Sequence, residues 1–407
     1  MRDPRLERWA ASGAMALTGP PDLPLGPPEP LLDGIERLTR PFPGLDAPAL
    51  LGERAALMGL WRRGAISCGG SCRILPAAGG FVAVNLPRDE DMESVPAWLE
   101  LDDVPPNAPA TWAALAREVA SRDPDELVAR AALVGLPVAR VGEAADRPAV
   151  TRVPLGAAPA RAPVGAVVVD LSALWAGPLC ADLLAGTGAA VIKVESTRRP
   201  DGARRGPAEF FDLLNARKRS VALDFADEAG RRALLHLVLR ADVVVEASRP
   251  RALEQLGIRA ADCVGEGGPQ VWVSITGYGR SGHGDAGGAA PEEGPGRVAF
   301  GDDAAAAGGL VVWHEGTPLF CADAVADPLT GLTAATACIE ALGGGGRWLL
   351  DVSMAGVAAS LAGPTLAVPD ADGGIEVAPP RARPAARHAP ASGVDTAEVL
   401  AEMGYGG

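Results

Sequence analysis

The apolar positions in the second part of the chain come in short continuous runs, and these set the expected elements. Val167-Val168-Val169 is the kind of run a parallel strand needs when both of its faces are covered. A tight turn at Ala176-Gly177-Pro178 follows, and Pro178 suits the first turn of a helix, where its missing N–H has no intrahelical bond to make. Leu179 to Ala185 then repeats apolar residues at helical spacing, Gly186 and Gly188 stop the helix, and Ala190 to Glu195 reads as a second strand. The stretch from Gly165 onward therefore predicts a β-α-β unit. Nearer the start, residues 73–86 read as a strand, a Gly79-Gly80 turn and an alternating strand, and residues 112–133 read as helical. A Pro/Ala/Arg-rich stretch, residues 146–164, is expected to be a linker.

Length and composition narrow the class. A chain of 407 residues can bury the cores of two domains. Although 48% of it is hydrophobic, no uninterrupted apolar run approaches the roughly eighteen residues a membrane span needs. Met1-Arg2-Asp3-Pro4-Arg5 lacks the apolar core of a signal peptide, so no membrane partner and a cytoplasmic location are the expectation. A net charge of −14 argues against nucleic acid as a partner, since phosphate binding draws on clustered Lys and Arg. The six cysteines do not have the paired spacing of a zinc site; Cys68 and Cys72 come nearest, without a second pair or a nearby histidine, so no metal is expected.

Four spaced segments, in order, carry a resemblance: Val169-Asp170-Leu171-Ser172, Ala176-Gly177-Pro178, Gly188-Ala189-Ala190-Val191-Ile192-Lys193-Val194-Glu195 and Asn215-Ala216-Arg217-Lys218-Arg219-Ser220-Val221-Ala222-Leu223-Asp224. Residues 241–246, 273–279, 326–332 and 395–405 extend it. Together they resemble the family III CoA-transferases of the CaiB/BaiF type across most of residues 165–407. The resemblance implies an α/β fold: a Rossmann-like parallel sheet domain with a second, smaller α+β domain. Residues 11–24, 73–86 and 135–141 resemble the family's middle and small domain although they precede the Rossmann-like unit. The expected division is therefore residues 1–145 as a small-domain-like segment, 146–164 as linker and 165–407 as the transferase domain, in a permuted or partly duplicated member. An unrelated N-terminal domain is the alternative.

Family members pass CoA from an acyl-CoA to a carboxylic acid through an enzyme carboxylate that becomes first an anhydride and then a CoA thioester, which divides one difficult exchange into easier steps. By resemblance the nucleophile falls at Glu315 or at Asp22 in the N-terminal segment, each beside Gly and Pro. The resemblance places the CoA contacts at Leu174, Trp175, Leu223, Ala247 and Ser248, with Arg198, Arg199, Arg217, Lys218 and Arg249 as phosphate partners. Thr276, Gln255 and Ser196 stand where other members carry basic residues. Asp302 and Asp303 read as an N-cap pair, Asp327 as structural, and His283 as a surface histidine in a glycine-rich loop. CoA thioester is expected as substrate, with no permanently bound cofactor, and a homodimer is implied by the resemblance alone. An acyl-CoA racemase or isomerase, or a silent CoA-binding homologue, are the rival readings.

Overall fold

The structure is a computed structural model that describes residues 3–101, 108–248, 250–265, 267–280, 297–368 and 375–406. Strands β1 (Cys72–Ala77), β2 (Gly80–Asn85) and β3 (Val138–Arg140) form an antiparallel sheet in that order. Gly79, at φ 87°, makes the tight reversal between β1 and β2. The helices Ala108–Ala120 and Pro124–Val134 lie close by in the chain, and Leu75, Val82, Val84, Trp98, Leu115 and Leu127 close a separate apolar core. This is the smaller α+β part of the expected fold.

The large sheet is built from β4 (Val150–Gly156), β5 (Val167–Asp170), β6 (Ala190–Ser196), β7 (Arg219–Leu223), β8 (Val243–Glu246), β9 (Val271–Thr276) and β12 (Arg347–Ser353). Between the last two strands, β10 (Val311–His314) and β11 (Thr317–Phe320) form a hairpin of their own. The spatial order of the large sheet is β4-β12-β9-β8-β5-β6-β7; among the described residues all its strands run parallel except β4. The long helix Ala326–Gly344 and the helix Ala176–Gly186 pack on each other, and Leu179, Leu183, Leu329 and Leu332 join one core with Val168, Val245 and Val273. Among the described residues, no helix is long and apolar enough to cross a membrane.

Two boundaries differ from the expectation. Residues 146–164 are not simply a linker, because β4 lies within them and pairs antiparallel with β12. As an edge strand with mostly exposed side chains and a tolerated Pro154, it shows none of the apolar patterning of a buried strand. Residues 1–145 also do not behave as one piece. Leu6, Trp9, Met15, Leu17, Leu31 and Ile35 lie in the core of the large body, beside Leu361 and Leu366, and Pro28 bridges to Thr365. Only from β1 onward does the chain enter the smaller body.

The two motif lysines are buried in ion pairs, including Lys218, which the resemblance offered as a phosphate partner. Lys218 Nζ donates to Asp170 Oδ2 at 2.8 Å, to the Pro178 carbonyl at 2.9 Å and to Asn215 Oδ1 at 2.9 Å. Lys193 Nζ lies 2.9 Å from both the Ser172 carbonyl and Asp201 Oδ2. Burial opposes ionisation of Asp170, yet the two lysines outweigh it and hold the carboxyl below its usual range. Residues 375–395 then run without helix or strand to the helix Thr396–Glu402 beside β7, where Asp395 Oδ2 accepts from the Ser220 N–H at 2.7 Å.

Candidate active site

The hairpin β10–β11 delivers the chain into the turn Cys321-Ala322-Asp323-Ala324. Ala322 (φ 56°) and Ala324 (φ 42°) are both left-handed without being glycine, at a cost of roughly 1–2 kcal/mol each. The conformation is held by partners: the Ala322 N–H donates to Thr18 Oγ1 at 3.0 Å and the Ala324 N–H to Asp302 Oδ1 at 3.1 Å. Strain of this kind collects where function fixes the backbone. Its result is that Asp323, fully buried, meets Arg54 from the short helix Glu53–Met58. Arg54 Nε and Nη2 donate to the two Asp323 oxygens at 2.8 and 2.6 Å, a fork-to-carboxylate pair across 269 residues.

Asp327 stands in the first turn of the long helix, where the macrodipole favours negative charge. Among the described residues its carboxylate makes no hydrogen bond or ion pair, and the residue keeps part of its surface open. Gly301 permits its position: a Cβ there would lie 2.3 Å from Asp327 Oδ2 and 2.4 Å from the Ala324 carbonyl oxygen. Asp302 and Asp303 follow Gly301 at the start of the helix Gly301–Ala307. Asp303 Oδ1 accepts from Asn85 Nδ2 at 2.7 Å and from the Phe300 N–H at 3.0 Å, so it does cap its helix while also tying that helix to β2. Its Oδ2 and Asn85 Oδ1 are buried without a partner.

Burial raises the pKa of three of these carboxyls to about 7. For Asp302 the neighbouring Asp323 adds to the effect and Arg54 opposes it; for Asp303 the bond from Asn85 opposes it; for Asp327 Arg54 opposes it while Asp302 and Asp303 add to it. Carboxyls poised near neutrality in one cluster are the usual mark of acid–base or nucleophilic work.

The residues singled out from sequence fall elsewhere or only partly here. Glu315 is an exposed residue of the β10–β11 turn (φ 48°), and Asp22 an exposed turn residue; neither carboxylate joins the buried group. Trp175 does reach it, since its buried ring lies 5.2 Å beneath the Arg54 guanidinium and edge-on to Phe210. Leu174 (φ 69°), Ala247, Ser248 and Leu223 lie at the carboxyl ends of β5, β8 and β7, the edge at which open parallel sheets bind ligands. Arg198 is exposed and paired with Asp224 at 2.9 Å, and Arg217 is held 3.8 Å from Asp182. Lys218 is consumed by its buried partners and is closed to a phosphate. Arg249 and His283 lie outside the described residues. Arg54, Asn85 and Asp323 were not anticipated; the available signal was four aspartates among alanines and glycines at 302, 303, 323 and 327, with no Arg or Lys between residues 298 and 346. Among the described residues, no cluster of His, Cys, Asp and Glu is arranged to hold a metal ion.

Residues 164–397 match the profile of CoA-transferase family III. An acyl-CoA transferase of Fusarium pseudograminearum is 34% identical over 199 residues, covering 44% of this chain and 41% of that protein. The succinyl-CoA:mesaconate CoA-transferase of Haloarcula hispanica is 36% identical over 126 residues, 28% of this chain and 31% of that protein. A crystal structure of a CaiB/BaiF family protein from Brucella suis superposes with a TM-score of 0.42 at 28% identity, over 50% of this chain and 56% of that one. The matches span less than half the length of these curated relatives. The profile covers more than half of the chain, including the whole parallel part of the large sheet and the Asp302–Asp327 cluster, and the chain belongs to CoA-transferase family III.

Proposed function

We propose that the protein transfers CoA from an acyl-CoA to a carboxylic acid, with Asp327 as the nucleophile. The observation that carries this reading is a carboxylate without a protein partner, half-buried, at a helix N-terminus and pressed against Gly301. Its carboxylate attacks the thioester carbonyl and expels CoA thiolate, leaving an aspartyl anhydride. The thiolate then attacks the aspartyl carbonyl and releases the first acid, leaving an aspartyl-CoA thioester. An acceptor carboxylate attacks that thioester to give a second anhydride and thiolate. Attack of the thiolate on the acceptor's carbonyl yields the new acyl-CoA and restores Asp327. Leu174, Trp175, Leu223, Ala247 and Ser248 would line the CoA path along the sheet edge, with Arg198 nearest the solvent. The names of the relatives, which include oxalate and mesaconate transferases, support an acid as acceptor. The reading includes a homodimer in the cytoplasm and a permuted or partly duplicated arrangement of the small-domain-like segment.

The test is to incubate the protein with a panel of acyl-CoAs, trap with borohydride or hydroxylamine, and locate the modified carboxyl by peptide mass spectrometry. Modification is expected at Asp327 and absent in Asp327→Asn, whose turnover should fall at least about a thousandfold. Modification at Glu315 or Asp22 would reassign the nucleophile. A second reading, exchange of an α-proton on an acyl-CoA, is favoured by Asp302 lying beside Asp327, both with pKa raised to about 7; deuterium incorporation at the α-carbon without trapping would select it.

A further inference from the structure

We infer that Arg54 is a positioning residue for Asp327: through Asp323 it fixes the turn Cys321-Ala322-Asp323-Ala324, which leads into the helix carrying Asp327. The N-terminal segment, outside the family-matched residues 164–397, then sets the geometry of the site. The inference rests on the reading of Asp327 as the reacting group. Thr18, Arg54 and Cys68 all reach this one turn. The Ala322 N–H donates to Thr18 Oγ1 at 3.0 Å, the Cys68 thiol lies 3.6 Å from the Ala322 carbonyl oxygen, and Arg54 closes on both oxygens of Asp323. Both backbone polar groups of Ala322 and the carboxylate after it are held from the N-terminal segment. Thr18, Cys68 and Asp323 are buried, so a lost partner is not replaced by solvent.

The turn is joined directly to Asp327. The Asp327 N–H donates to the Ala324 carbonyl at 2.9 Å. That same carbonyl oxygen and Asp327 Oδ2 both press on Gly301, where a Cβ would lie 2.4 and 2.3 Å from them. A rotation of the Ala324 peptide therefore displaces the start of the helix and, with it, the carboxylate. The turn does not favour this shape by itself, because Ala322 and Ala324 are held at φ 56° and 42°, which side-chain-bearing residues avoid. Arg54 is anchored in its turn. The preceding Glu53 accepts from Arg383 Nε at 2.5 Å and Nη2 at 3.2 Å, and Arg54 Nη2 lies over Gly69, 3.5 Å from where a Cβ would stand. A guanidinium fork fixes the orientation of a carboxylate as well as its distance, which a single ammonium does not.

The experiment measures kcat, KM and the rate of Asp327 modification at saturating acyl-CoA in Arg54→Gln, Arg54→Lys and Arg54→Gln/Asp323→Asn. The double variant leaves no unpaired buried charge. In all three, kcat and the modification rate are expected to fall about a hundredfold, with KM within about threefold of the native value. Arg54→Lys keeps the charge and loses the fork, so its loss reads position. A native kcat in Arg54→Lys or in the double variant overturns the inference, as does a kcat in Arg54→Gln that returns to the native plateau at high pH. The last result would mean that Arg54 acts on Asp327 through its charge alone. Thr18→Val removes the acceptor of the Ala322 N–H without changing any charge, and should lower kcat about tenfold at unchanged KM; it decides the matter if the Arg54 variants do not fold. Trapping on the native chain separates the two readings. An adduct on another carboxyl refutes Asp327 as nucleophile, whereas an adduct on Asp327 that forms at the native rate in the variants refutes only the positioning role.

Discussion

Replacing Asp303 by asparagine removes a buried charge while keeping its shape, and the pH dependence of stability should change by a calculable amount. Asp303 is fully buried with its carboxyl pKa raised from 3.8 to about 7. The folded chain therefore holds this proton up to about pH 7, whereas the unfolded chain releases it near pH 4. Stability from this group is complete below pH 4 and is lost as pH rises through 7. Between pH 5 and pH 8 the unfolded carboxyl is already ionised, so each unit up to the folded value costs about 1.4 kcal/mol, roughly 2–3 kcal/mol in all. Asp303→Asn does not titrate, and its amide can donate to the unpartnered Asn85 Oδ1. Urea unfolding of both proteins at pH 5, 6, 7 and 8 should show curves that diverge by about 2–3 kcal/mol toward pH 8, in favour of the variant. Asp302 and Asp327 slope in the same direction in both proteins, Asp327 losing only the part of its rise that the charge on Asp303 supplies. Parallel curves would refute the reasoning, since they would mean that Asp303 is ionised throughout.

Gly301→Ala should lower turnover about a hundredfold or more by displacing Asp327, because the new Cβ would lie 2.3 Å from Oδ2; the overpacking should also cost about 1–3 kcal/mol in urea unfolding. Lys218→Ala leaves Asp170 buried without its closest counter-charge and should destabilise by about 3–5 kcal/mol, read as a shift of the unfolding midpoint at constant slope. Glu315→Gln and Asp22→Asn should keep turnover within about twofold of the native chain, because exposed turn carboxylates contribute little when removed; a larger loss in either would return the nucleophile to that position.

The large sheet could be read from the chain because its strands are covered on both faces. Val167–Asp170 and Ala190–Ser196 are found where the apolar runs place them, and the glycines after Ala185 end the intervening helix. Strand β4 could not be read, since an exposed edge leaves no apolar run. For the site, the chemistry was legible and the address was not. Glu315 and Asp22 have the Gly/Pro neighbours of a catalytic turn, and that same composition marks an ordinary exposed turn. Asp302, Asp303 and Asp327 owe their raised pKa values to burial, which Arg54 and Asn85, more than 200 positions away in sequence, partly offset. No local window contains that information.

The pairing of Arg54 with Asp323 across 269 residues also bears on synthesis. At about 5–20 residues per second on the ribosome, Asp323 is made roughly 13–54 s after Arg54. Throughout that interval the core of Trp9, Met15, Leu17, Leu31 and Ile35 still lacks Leu329, Leu332 and Leu361. The emerging chain thus carries an adhesive front end that cannot be completed locally. Chaperone occupancy on nascent chains should begin early and end only as the segment beyond Leu361 clears the exit tunnel.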